Sequence, residues 1–105
     1  MINIEKLKQL NTPKKIALTK HARERMAERN ITVNDIVKGI ETGEIIKQYE
    51  DDKPFPSCLI LGFSMNHKYI HIVVSNDNEY IYLITAYYPN PEQWENNFKT
   101  KRKGR

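Results

Sequence analysis

The hydrophobic period of this chain changes once, at residue 44, and that change constrains the fold more than any other feature. Before it, apolar residues recur at helical spacing; after it, β-branched and aromatic residues alternate with polar ones, as strands require. Four segments fit the strand pattern: residues 44–50, 57–65, 68–75 and 79–88. Asp51-Asp52-Lys53-Pro54, Asn66-His67 and Asn76-Asp77-Asn78 separate them. Links this short join antiparallel neighbours, because a parallel crossover needs a dozen residues or more.

Three helices are expected before the change. Ile4, Leu7 and Leu10 recur with charged residues between them until Asn11-Thr12-Pro13 stops the run. Thr19 is a candidate N-cap for a second helix with Leu18, Ala22 and Met26 as its apolar stripe and Asn30 as its end. Thr32 with Asp35 three residues on predicts a reciprocal cap for a third, which buries Ile36, Val37 and Ile40 and stops at Gly43. After the strands, Asn90, Pro91 and Gln93 predict a short C-terminal helix carrying Trp94 and Phe98. The expected fold is α+β: N-terminal helices on one face of a four-stranded, mainly antiparallel sheet, with the other face open.

A chain of 105 residues holds one domain, here residues 1–98, with 99–105 as a basic C-terminal tail. The net charge of +4 is unevenly placed. Residues 1–29 hold eight Lys/Arg against three Asp/Glu, residues 30–98 four against ten, and residues 99–105 five against none. Two basic ends around an acidic middle permit a localised polyanion footprint. The tail is expected to add flexible, non-specific affinity. No apolar run approaches a membrane span, and Glu5, Lys6 and Lys8 interrupt any signal-like start, so no membrane association and a cytoplasmic location are expected.

Several chemistries are disfavoured. His67 and His71 have a suggestive spacing, but on a strand residues four apart stand roughly 13 Å from each other, too far for one ion. No metal and no cofactor are expected, since there is no Cys pair, HExxH, P-loop or GxGxxG motif. Glu50-Asp51-Asp52 reads as a solvated loop, and Cys58, between Ser57 and Leu59, as a small buried apolar residue.

Histidine, arginine and tyrosine remain. In the segment HARERMAERN, His21, Arg25 and Arg29 share one helical stripe with Glu24 and Glu28 between them. The stripe reads either as a solvated face of Glu–Arg pairs or as a row of phosphate-binding guanidinium groups. His21 falls in the first helical turn, where the helix dipole disfavours a cation and favours a neutral imidazole. On the third strand Ile70, Ile72 and Val74 face the helices, which leaves Tyr69, His71, Val73 and Ser75 on the other side. A histidine among tyrosines there reads as a platform for nucleic-acid bases or as ordinary half-buried strand residues.

The strings HARERMAERNIT, ETGEIIKQYEDDKPFPSCLILGF, HIVVSN and ITAYYPNPEQWENNFKTKR together resemble a bacterial and archaeal family catalogued as domain of unknown function 4258, over residues 16–102. Proteins of that kind are similar to RelE-like and barnase-like ribonucleases. The resemblance implies a toxin-like, metal-independent endoribonuclease acting on RNA and restrained by a small zinc-finger-type antitoxin. It also implies roles: His71 or His21 as general base or acid, Arg25 on the reacting phosphate with Arg29, and Tyr87 stacking or donating a proton. Beside those positions, Lys20, Tyr69, Lys101 and Arg102 are expected RNA contacts from the basic ends and the tyrosine face. A non-catalytic nucleic-acid or partner-protein binding module is the alternative. Whether His21 and His71 share a site depends on which side of the sheet each element takes.

Overall fold

Asn3, Thr19 and Thr32 each stand one residue before or at the start of a helix and use a side-chain oxygen to accept backbone N–H bonds left unpaired in the first turn. The computed structural model describes residues 1–103. Its helices are α1 (Ile4–Gln9), α2 (Lys20–Glu28) and α3 (Val33–Glu41), with a single 3-10 turn at Pro13–Lys15. At α3 the cap is reciprocal: the Asp35 amide donates to Thr32 Oγ1 at 3.1 Å, and the Thr32 amide donates to Asp35 Oδ2 at 2.9 Å. Asn30 ends α2 in the left-handed region at φ 59°, a conformation that asparagine tolerates better than most residues.

The strands are β1 (Ile16–Leu18), β2 (Glu44–Tyr49), β3 (Ser57–Phe63), β4 (Tyr69–Asn76) and β5 (Ile81–Tyr87), in the order β1-β5-β4-β3-β2. The expected four-stranded, mainly antiparallel sheet is corrected to five strands, with one parallel pairing. The added strand pairs in parallel with β5, Ile16 opposite Ile81 and Leu18 opposite Leu83. Three residues are too few to show an alternating period, and the spacing of Leu18 to Ala22 and Met26 reads equally well as helix. The meander of β2 to β5 is antiparallel as expected, with bulges between Ile45 and Lys47 and at Val73/Val74.

The helices cover one face. Leu7, Ile36 and Ile40 meet Ile60, Ile70, Ile72, Val74 and Ile81 there, and all eight are fully buried. Two glycines set how closely α3 approaches: a Cβ on Gly62 of β3 would lie 1.9 Å from the Gly39 carbonyl oxygen. Cys58 packs into the same core, and burial pushes its thiol up to about 12, leaving it un-ionised at neutral pH.

The expected C-terminal helix does not form. Gln93 and Trp94 donate to the Asn90 carbonyl, completing one turn, and the chain then reverses. Asn97 Oδ1 accepts the amides of Lys99 and Thr100, and Phe98 takes φ 57°. Glu95 then pairs with Thr100 and Arg102 with Gln93 around a bridge between Trp94 and Lys101. A helix here would carry only Trp94 and Phe98 as apolar residues; the reversal buries part of both against the sheet. Residues 99–103 therefore belong to a folded loop, while the rest of the predicted basic tail, 104–105, lies outside the described residues. Among the described residues no helix is long and apolar enough to cross a membrane.

Candidate nucleic-acid interface

Strand parity assigns one set of side chains to the sheet face away from the helices. The register sets His71 between Leu61 and Tyr87, Val73 between Leu59 and Thr85, and Lys47 opposite Leu59. The face expected to be open is covered instead. Leu59, Leu61 and His71 are 1%, 6% and 0% exposed because the 90–102 loop lies over them.

His71 is the anchor of that cover. Its Nε2 stands 2.8 Å from the Phe98 carbonyl oxygen, which can only accept, so Nε2 carries the proton. Nδ1 is then an acceptor, and the Tyr87 hydroxyl donates to it at 3.3 Å. The Trp94 ring meets the imidazole edge-on, with centroids 4.5 Å apart. Burial pulls the His71 pKa below 6.5, and the Phe98 carbonyl, which favours the charged form, offsets only part of that. Burial pushes Tyr87 above its ordinary value; nearby Tyr49 adds to this and the Arg29 guanidinium opposes it.

Between the loop and the sheet lies a cavity of about 210 Å³ lined by Lys47, Tyr49, Tyr87, Trp94, Lys99 and Lys101. Lys47 Nζ sits 5.3 Å from the Tyr49 ring centroid, and Lys99 pairs with Glu44 at the rim. Among the described residues Lys47 and Lys101 have no carboxylate partner. Three ammonium groups, an indole and two phenols present hydrogen-bond donors and aromatic rings, a set suited to an anion attached to a flat ring.

The residues singled out from the sequence divide into two groups. Lys20 and His21 are exposed on α2, and Arg25 is tied to Glu28 at 3.0 Å, the solvated reading of that stripe. Tyr69, His71, Tyr87 and Lys101 lie on or over the opposite face, so His21 and His71 do not share a site. Arg29 links the two sides. From the end of α2 it donates to the Ala86 carbonyl at 2.9 Å and to Thr85 Oγ1 at 3.2 Å, where β5 has run past the end of β1. It replaces a missing strand partner, and its guanidinium is used internally. Arg102 is likewise internal, bonding Glu95 and the Pro91 carbonyl.

Sequence reading missed Lys47, Tyr49, Trp94 and Lys99. The first two carried a usable signal, two positions apart on one strand and so on one face. Lys99 was legible only as one charge of the basic tail and Trp94 only as an apolar helix residue, since their placement depends on the reversal at Phe98. Among the described residues no three His, Cys, Asp or Glu side chains come together to hold a metal ion.

No curated protein and no solved structure matches this chain. One family profile does, from Leu18 at the end of β1 to Tyr88 just after β5, a span that contains His71 and Tyr87 and stops short of the covering loop. Over residues 18–88, the chain belongs to the family described as domain of unknown function (DUF4258).

Proposed function

We propose that this domain binds RNA in the lysine-lined cavity and cleaves it without a metal ion. The observation that carries the reading is the Tyr87–His71 hydrogen bond at the wall of a cavity holding three lysines. A phosphodiester bound by Lys47, Lys99 and Lys101 brings a ribose 2′-hydroxyl to Tyr87. The Tyr87 oxygen takes the 2′-hydroxyl proton as its own proton passes to His71 Nδ1. The 2′-oxygen attacks phosphorus, the bond to the 5′-oxygen breaks, and a lysine ammonium protonates the departing oxygen. The products are a 2′,3′-cyclic phosphate and a 5′-hydroxyl. The ammonium groups also stabilise the negative charge that builds on the phosphorus oxygens. Burial makes the imidazolium short-lived: His71 gives its proton back to Tyr87 as the Tyr87 proton passes, through solvent, to the lysine amine left by the 5′-oxygen, and all three groups are restored.

The test is incubation of purified protein with RNA in EDTA. Cleavage leaving cyclic phosphate ends is expected, reduced at least a hundredfold in Tyr87→Phe with RNA binding retained. Absence of cleavage by the unaltered protein overturns the enzymatic reading.

A second reading, a non-catalytic RNA-binding module, is favoured by one observation: both nitrogens of His71 are occupied by internal partners. It expects salt-sensitive binding, no cleavage, and no effect of Tyr87→Phe. The toxin role belongs to the first reading. Expression in a bacterial host is then expected to arrest growth, and co-expression of a zinc-finger-type antitoxin to relieve it.

A further inference from the structure

We propose that the aromatic row Phe63–Tyr69–Phe98 is a base-stacking subsite joined through Lys99 to the lysine-lined cavity, so that the RNA taken by this domain is single-stranded. The proposal rests on the RNA-binding reading above and narrows it to a substrate class. Phe63 and Tyr69 are directly opposite each other on β3 and β4, and their ring centroids are 4.8 Å apart. Phe98 arrives from the covering loop and extends the row, its centroid 4.9 Å from that of Tyr69. A cross-strand pair of rings is an ordinary way to stabilise a sheet. A third ring, delivered by a loop whose backbone takes a left-handed turn at that residue, goes beyond it.

The row is not closed off from solvent: Phe63 and Tyr69 remain 37% and 41% exposed. Beside it lies a depression of about 530 Å³ bordered by Thr42, Glu44, Phe63, Tyr69, Asn97 and Lys99. That volume falls within the roughly 300–1,000 Å³ of small-ligand sites. Asn97 spends its carbonyl oxygen on the backbone amides of Lys99 and Thr100, and its amide nitrogen is left to donate to a base edge. Lys99 lines both this depression and the cavity containing Tyr87. A cation between an aromatic row and a phosphate pocket matches the alternation of base and phosphate along one strand. In an A-form duplex the base faces are already stacked on one another and unavailable to these rings.

The experiment measures fluorescence anisotropy of the full chain with a labelled 2′-O-methyl oligonucleotide, which lacks the 2′-hydroxyl proton and so survives binding intact. The same sequence is presented as a single strand and as a duplex. Expected are preference for the single strand, about tenfold weaker binding of it by Tyr69→Ala, unchanged duplex binding, and recovery in Tyr69→Phe. Phe63→Leu, which keeps an apolar side chain at that exposed position, guards against loss of fold and is expected to weaken single-strand binding severalfold. Equal affinity for both forms, or single-strand binding unchanged in both the Tyr69 and Phe63 variants, overturns the subsite. If Lys47→Ala/Lys101→Ala abolishes binding while the aromatic variants do not, RNA binding stands and the stacking subsite falls. If the unaltered protein binds neither form, the RNA-binding reading falls with it.

Discussion

His71 donates its Nε2–H to the backbone carbonyl of Phe98 at 2.8 Å, and that bond fastens the C-terminal loop onto the sheet. The loop supplies one wall of the candidate interface. The loop brings Trp94, Lys99 and Lys101 over Tyr49 and Tyr87, and sets Phe98 against Tyr69.

Because His71 is buried with its pKa below 6.5, stability depends on pH with a definite sign. Above pH 6.5 folded and unfolded chains both carry neutral imidazole, and the His71 contribution is complete. As pH falls below 6.5 the unfolded chain takes up a proton first, and stability declines until the lower folded pKa is reached. Urea melts across pH 5–7.5 are expected to show this decline and His71→Phe to remove it. His71→Ala, which opens a cavity and orphans the Tyr87 hydroxyl, is expected to cost about 2–4 kcal/mol at pH 7.5. A pH-independent melt in the unaltered protein would contradict the assignment.

Arg29 is hydrogen-bonded to β5. Arg29→Ala removes donors to the Ala86 carbonyl and Thr85 hydroxyl, and a loss of about 1–3 kcal/mol is expected in denaturant melts. Arg29→Lys recovers only part of it, since one ammonium lacks the guanidinium's spread of donors. If Arg29→Ala leaves stability intact and instead weakens RNA binding, the phosphate-binding reading of that residue is restored.

Gly62 admits no side chain. A Cβ there would stand 1.9 Å from the Gly39 carbonyl oxygen, a backbone atom that moves only if α3 lifts from β3. Gly62→Ala is expected to cost about 3 kcal/mol or to prevent folding. A thermal midpoint within 2 °C of the unaltered protein's would show that the helix can shift at little cost.

Glu44 pairs with Lys99, and the two side chains are 58% and 46% exposed. An exposed pair of this kind contributes about 0.2–1 kcal/mol, so Glu44→Gln is expected to leave the melt nearly unchanged. It also removes a negative charge beside the proposed phosphate site. RNA binding at low salt should tighten by about two- to fivefold. Weaker binding would mean that the carboxylate positions Lys99 for its ligand.

Much of this was legible along the chain. The period change at residue 44 separated helices from meander, because both periods follow from local backbone geometry. The cap pattern Thr32 to Asp35 marked the start of α3 for the same reason: a short side chain reaches only the nearby backbone. Parity along β4 put Ile70, Ile72 and Val74 on the helix side and His71 on the other. The three-residue β1 escaped notice because its pairing with β5 lies 65 residues away, Ile16 opposite Ile81.

The sequence by itself determined which residues turn inward and outward along β4, since side-chain alternation is a property of the extended backbone; on β2 and β5 a bulge resets that alternation. Only the tertiary structure decided what covers the outward face. The segment after Pro89 has too few apolar residues to hold a helix alone, and its conformation follows from partners far away, the His71 imidazole for Phe98 and the sheet surface for Trp94. The candidate site is assembled from β2, β5 and that loop, and its three lysines converge because the loop folds back across the strands.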